Sequence, residues 1–185
     1  MPALAGGRGR GFTLAEILIA LAILAVLAAV LYPTAAAQFR TGQSAAIGNQ
    51  LDNLRQAIAN YRQNVKAFPS ALTQLTTQPT VASLDACGAT IGANQALWRG
   101  PYINQNIVGD MPVADAIVIN GLTRIPATGV NALGLLQISV ASVDSALAVD
   151  LERQFDGNSN FATGTIQWTT AGVDTLKFLI PIRGC

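Results

Sequence analysis

From Phe12 to Tyr32 the chain is apolar, interrupted only by Thr13 and Glu16, and no residue from Ile17 to Phe39 is charged. Roughly 20 such residues, rising about 1.5 Å each as a helix, cover a hydrocarbon core of about 30 Å. A block of this kind has to be covered by lipid or by other protein. Arg8 and Arg10 lie just ahead of it. By the positive-inside rule they hold the N-terminus in the cytoplasm and send the remainder outward. The rest of the 185 residues suffices for one ordinary domain.

Composition removes several kinds of function. Lys and Arg total 11 against 10 Asp and Glu, a net charge of +1, which gives no strong nucleic-acid signal. Histidine is absent, and with it the commonest general base and metal ligand. The only cysteines are Cys87 and Cys185, so zinc sites built on paired cysteine motifs are excluded.

The apolar block admits three readings: a plain membrane anchor, a secretory signal peptide, or a prepilin leader. Ala35-Ala36-Ala37 offers a signal-peptide cut that would leave Gln38 first. Glu16 separates them. A carboxylate within an apolar span costs about 2.5–3.5 kcal/mol on insertion scales. Neither an anchor nor a signal peptide has a use for that cost.

Gly11-Phe12-Thr13-Leu14-Ala15-Glu16 resembles the processing site of type IV prepilins and type II secretion pseudopilins. The resemblance implies a cut between Gly11 and Phe12 by a prepilin peptidase, which also methylates the new Phe12 nitrogen. Glu16 then becomes the fifth residue and Pro33 the twenty-second, where many pilins also carry proline. The implied segments are 1–11 as leader, 12–33 as the membrane or filament-core half of a long helix, 34–66 as its amphipathic half, and 67–185 as a periplasmic globular domain. The implied partners are the membrane, the peptidase, an inner-membrane assembly platform, and other copies or other pilins in a filament. Physically, the cut turns a neutral peptide nitrogen into a cationic amine about one helical turn from Glu16. In low dielectric each charge needs a partner. The family model pairs the glutamate of one subunit with the amine of a neighbour, which would set register as a buried polar group does in a coiled coil. Pairing of Glu16 with its own amine is the open alternative.

Helical periodicity continues past Pro33. Ile47, Leu51, Leu54, Ile58, Tyr61 and Val65 follow at alternating spacings of four and three, while Asp52, Asn53, Arg55, Gln56 and Asn60 occupy the wet face. The pattern predicts one helix from Phe12 to about Asn64, roughly 80 Å long. Pro33, Gly42 and Gly48 are its weak points, with a kink or a melted zone expected at Pro33. Phe68-Pro69-Ser70 ends it, with Ser70 capping a short helix through Leu75.

Residues 76–115 read as a long connection containing Leu97-Trp98-Arg99-Gly100-Pro101-Tyr102, a turn with two buried aromatics. A similar Gly-Pro-Tyr segment occurs in major pseudopilins. Strands are predicted at Ala116–Asn120, around Leu136, Ile138 and Val140, at Thr163–Thr169 and at Thr175–Ile180, with Ala171–Asp174 as a hairpin connection. Asp144 to Gln154 reads as a second amphipathic helix, and Pro181 as a strand end or an edge position. The fold class is α+β: a long N-terminal helix on a small antiparallel sheet, as the pilin resemblance also implies.

Asp156-Gly157-Asn158-Ser159-Asn160 opens like a calcium loop, with oxygens at Asp156, Asn158 and Asn160. It departs at Phe161, where a glycine is needed, and at Gln167, where a bidentate glutamate is needed. Some pseudopilins bind calcium; the other reading is a polar turn. A leucine-aspartate run followed by an acid-glycine turn and Thr-Gly recurs in prepilin-like proteins, without a mechanism attached. In an oxidising periplasm Cys87 and Cys185 are expected to join, closing a loop of about 100 residues worth up to about 4.7 kcal/mol of chain entropy. Two free thiols are the alternative.

Three functional classes follow. The first is a non-catalytic filament subunit: a pilin or pseudopilin, major or minor, of a pilus, a secretion pseudopilus or a competence pilus. The second is a minor tip pilin binding a surface, DNA or a secreted substrate. The third is an anchored periplasmic enzyme, for which no nucleophile–base pair can be named.

Overall fold

A computed structural model describes residues 12–105, 107, 109–114, 116–126, 134–158, 160–169 and 174–183. The chain divides into two compact units, Met1–Arg40 and Thr41–Cys185. One helix, α1 (Leu14–Val65), contributes to both. It runs unbroken through Pro33, Gly42 and Gly48. Pro33 supplies no N–H to the preceding turn. Beside it the Thr34 hydroxyl donates to the Leu31 carbonyl at 2.7 Å. In the first unit the apolar side chains of α1, from Leu14 to Phe39, are exposed.

In the second unit the stripe read from the sequence is the buried face. Ile47, Leu51, Leu54, Ile58, Tyr61 and Val65 are all buried. Each such aliphatic side chain contributes about 1.5–3 kcal/mol by leaving water. Gly48 has a packing role, because the Gln154 carboxamide lies where its Cβ would be. The helix stops before the predicted Phe-Pro-Ser signal. Lys66 turns left-handed at φ 60° and its N–H bonds to the Arg62 carbonyl at 2.9 Å, a C-terminal cap made without glycine.

The sheet has five antiparallel strands: β1 (Met111–Ala114), β2 (Ile117–Ile125), β3 (Gly134–Ala141), β4 (Ile166–Thr169) and β5 (Thr175–Ile182), in spatial order β1-β2-β3-β5-β4. The fold is therefore α+β, a long N-terminal helix on a small antiparallel sheet. Alternation places Leu136, Ile138 and Val140 inward, opposite Ile180, Phe178 and Leu176 of β5. Helix α2 (Ser145–Phe155) lies between β3 and β4 in the chain and is capped by Asp144, whose carboxylate accepts the Leu147 N–H at 2.8 Å.

Three expectations are corrected. The connection 76–115 ends in a strand, β1, at the sheet edge where Pro112 is tolerated. Strand β2 continues to Ile125 because a bulge between Ile119 and Gly121 restores the register. Ser70 is not a helix cap: its hydroxyl donates to the Leu84 carbonyl, and the short 3₁₀ turn Leu72–Leu75 starts at Ala71. Pro181 sits inside β5, opposite Leu135 of β3. Strand β4 pairs with β5 only as far as Phe178, so the proline's other side is locally an edge. Residues 171–173 of the predicted hairpin connection lie outside the described residues.

One buried group works against stability. Glu152 of α2 is fully buried and, among the described residues, neither carboxylate oxygen has a hydrogen-bond partner. Burial, helped by the nearby Asp156 charge, pushes its carboxyl up to about 7. Between about pH 4.5, its ordinary value, and pH 7 the folded chain holds a proton that the unfolded chain has lost. Its contribution to stability therefore falls across that window and is most unfavourable above it. Glu152→Met should raise stability by on the order of 1–3 kcal/mol at pH 8, and by clearly less at pH 4.5. Thermal unfolding of both full-length chains in detergent at the two pH values measures this; a gain that ignores pH would refute it.

Candidate processing and assembly site

The site begins one residue ahead of α1. Thr13 is the residue before the helix and Glu16 lies in its first turn. The Thr13 N–H and the Thr13 hydroxyl both donate to Glu16 Oε2 at 3.0 Å, and the Glu16 N–H donates back to Thr13 Oγ1 at 3.2 Å. This is a capping box, which satisfies two of the donors a helix N-terminus leaves orphaned. The acid also sits at the positive end of the helix dipole, which favours its charge. One carboxylate oxygen is thus committed within the chain, while Oε1 accepts from no described residue. The sequence carried the signal as a Thr-x-x-Glu ahead of an apolar run, and reading Glu16 only as an intramembrane acid missed it. Phe12 is described and exposed; Gly11, the other half of the expected cut, lies outside the described residues. Pro33 lies along the same helix, in the unit that ends at Arg40.

Residues 7–32 match the family model for the prokaryotic N-terminal methylation motif. No curated protein and no solved structure matches the chain. The motif is of the type IV pilin and pseudopilin prepilin kind, and it supports a structural subunit of that type. With the apolar helix, long enough to cross a membrane, it supports membrane anchoring.

The acid-glycine turn acquires a mechanism. The Asp156 carboxylate accepts the Ile166 N–H at 2.8 Å and further hydrogen bonds from the Thr165 backbone and hydroxyl. It thereby fastens the end of α2 to the start of β4. Burial pushes the Asp156 carboxyl up, but these three donors outweigh it and hold it below the ordinary aspartate value. Gly164 stands at φ +110°, with the Asp156 carboxylate occupying the space of a Cβ. Only glycine meets both conditions. The side-chain oxygens of Asn158 and Asn160, alternate with Asp156 in the calcium-like pattern, are engaged locally. Asn158 Oδ1 accepts the Asn160 N–H at 2.7 Å, and Asn160 Oδ1 accepts the Ala162 N–H at 3.2 Å. Among the described residues, no group of three or more acidic, cysteine or histidine side chains could hold a metal ion.

The Trp98 to Tyr102 segment packs on the end of α1. The Trp98 Nε1–H donates to the Gln74 carbonyl at 3.0 Å, and the Tyr102 N–H to the Leu75 carbonyl at 2.8 Å. The Tyr102 ring meets Tyr61 and Trp98 edge-on, with centroids 5.7 Å away in each case. Burial, with smaller effects from Tyr102 and Asp85, pushes the Tyr61 hydroxyl up to about 12, so it stays neutral. Both aromatics are half-buried rather than fully buried. Cys87 packs against the core and holds no free thiol, while Cys185 lies outside the described residues.

Asp156→Ala should cost about 2–4 kcal/mol, since it strands the amides of Thr165 and Ile166. The loss should be greatest at neutral pH and shrink in acid, because a depressed carboxyl stabilises above its unfolded value and ceases to as it protonates. Denaturant midpoints of the full chain at pH 7 and pH 3 test this; a cost below about 0.5 kcal/mol at pH 7 would show the carboxylate to be dispensable.

Proposed function

We propose that this chain is a prepilin whose mature form is a non-catalytic subunit of a type IV pilus or type II secretion pseudopilus. The observation that carries the proposal is the prepilin methylation motif over residues 7–32, with Glu16 held at the helix start by Thr13. Residues 1–11 are the leader, and a prepilin peptidase cuts between Gly11 and Phe12 and methylates Phe12. Residues 12–33 lie in the inner membrane, N-terminus inward, and later in the filament core. Residues 34–66 form the amphipathic half of the helix, and 67–185 the periplasmic domain, tied by a Cys87–Cys185 disulfide. Extraction by an inner-membrane platform delivers the subunit to other copies or other pilins, and Pro33 is the point at which the helix adapts to the assembly.

Glu16 acts at the joining step. Its Oε2 is saturated by Thr13, and its Oε1 is open to a second donor. A cationic Phe12 amine on the adjoining subunit is the donor that offsets the desolvation of both charges. A tip location with a binding role is the second reading, favoured by a carboxamide-lined groove of about 320 Å³ in the second unit.

Mass spectrometry of the native protein should find a chain beginning at N-methylated Phe12; one beginning at Gln38 would establish a signal peptide instead. Glu16→Ala should leave processing largely intact while cutting incorporation into sheared filaments about tenfold or more, because the amine then goes into lipid unpaired. Normal filament yield from that variant would remove the charge-pairing step.

A further inference from the structure

The groove is lined by six carboxamides: Gln50, Asn53, Gln56 and Asn60 from α1, and Asn104 and Gln105 from the loop that follows Tyr102. At spacings of three, three and four, the four helical amides form one stripe. Ala57, Ile103 and the half-buried Tyr102 complete the lining, so among the described residues no Asp, Glu, Lys or Arg faces the groove. Elsewhere the wet face of α1 carries charges, at Asp52, Arg55 and Arg62. Gln50 Nε2 spans to Gln105 Oε1 at 3.1 Å and closes one end. The side-chain amides of Asn53, Gln56, Asn60 and Asn104 make no hydrogen bond to any described residue. Asparagine is also a poorer helix former than the alanine, lysine or glutamate that a merely solvated face would accept.

We propose that this groove binds a neutral, uncharged glycan, and so gives a subunit placed at a filament tip its ligand class. Each carboxamide presents a donor and an acceptor side by side, which matches the vicinal hydroxyls of a sugar ring. Tyr102 and the small apolar surface beside it suit the C–H face of the same ring. Phosphate-bearing and acidic ligands need cations, and the lining has none. A peptide strand would dock through a free sheet edge or apolar anchor pockets. This groove lies between a helix and a loop, with β1 and β4 as the sheet edges. Affinity in a shallow groove is expected to be weak per site, and multivalency at a surface raises it.

The inference rests on the binding role alone; processing and filament assembly stand or fall by the mature N-terminus and the Glu16 variant. The test uses the full chain in an amine-oxide detergent, since sugar-headed detergents would compete. Saturation-transfer NMR with maltotriose, cellotriose, chitotriose and lacto-N-tetraose, and with sialyllactose as the charged comparison, reads binding directly. At least one neutral probe should bind. Asn53→Ala with Gln56→Ala, both at exposed positions, should weaken it about tenfold or more, equivalent to about 1.4 kcal/mol. Asn60→Asp serves as a second variant if the first unfolds, and Gln63→Ala, outside the groove, should leave binding unchanged. Failure of every neutral probe, binding only of sialyllactose, or binding that ignores the groove variants would each overturn the proposal. Loss of filament incorporation in the groove variants without glycan binding by the parent would make the groove a contact between subunits, and would overturn it as well.

Discussion

A carboxylate at the head of an apolar helix has to find donors, and the first turn of α1 supplies them from its own backbone. Thr13 gives Glu16 two hydrogen bonds through one oxygen and accepts one back, so the acid and the helix start stabilise each other. That arrangement lets a helix with an ionisable group near its end remain an acceptable membrane segment, because the charge lies at the interface end and against the helix dipole. It also leaves the acid half satisfied. A group with one committed oxygen and one open oxygen is stable alone and still gains from a cation brought to it.

The remainder of the molecule divides its apolar surface between two solvents. Along α1, the exposed residues from Leu14 to Phe39 need lipid or neighbours, whereas the stripe from Ile47 to Val65 is covered by the chain itself. The second unit completes its core without the first. Leu54, Ile58 and Tyr61 of α1 share one buried core with the inward residues of β3 and β5. The C-terminal strand is tethered as well. Arg62 Nη2 donates to the Arg183 carbonyl at 3.0 Å while its guanidinium lies 4.5 Å from the Phe68 ring centroid. Arg183, just past β5, is thereby held against the helix.

Periodicity made α1, its buried stripe, α2 and the inward face of β3 legible, because those features depend on neighbours three, four or two residues apart. Tertiary placement hid the rest. Strand β1 looked like connection because Pro112 breaks strand propensity everywhere except at an edge, and only the sheet order reveals an edge. Strand β2 looked short because Gly121 interrupts a β-branched run; the bulge that makes it continuous belongs to the pairing with β3. Periodicity put the helix end at about Asn64, one residue from Val65, but its cause was read as the Phe-Pro-Ser signal, whereas the stop is a left-handed lysine, a conformation that residue type does not announce.

The acid-glycine turn shows where sequence and structure each contribute. Asp156, Asn158 and Asn160 were visible as alternate oxygens that resemble calcium ligands, and Asp156-Gly157 with Thr163-Gly164 as a pattern without a mechanism. In the fold those oxygens bond to backbone amides, so the loop holds itself together with donors it already owns. The same loop explains why Glu152, one turn earlier on α2, is so poorly placed. The Asp156 carboxylate is kept ionised by its three donors, and its charge adds to the burial that opposes a second charge at Glu152. Two acids four residues apart, one within α2 and one just past its end, are thus driven in opposite directions, one fastening α2 to β4 and the other a standing cost to the core.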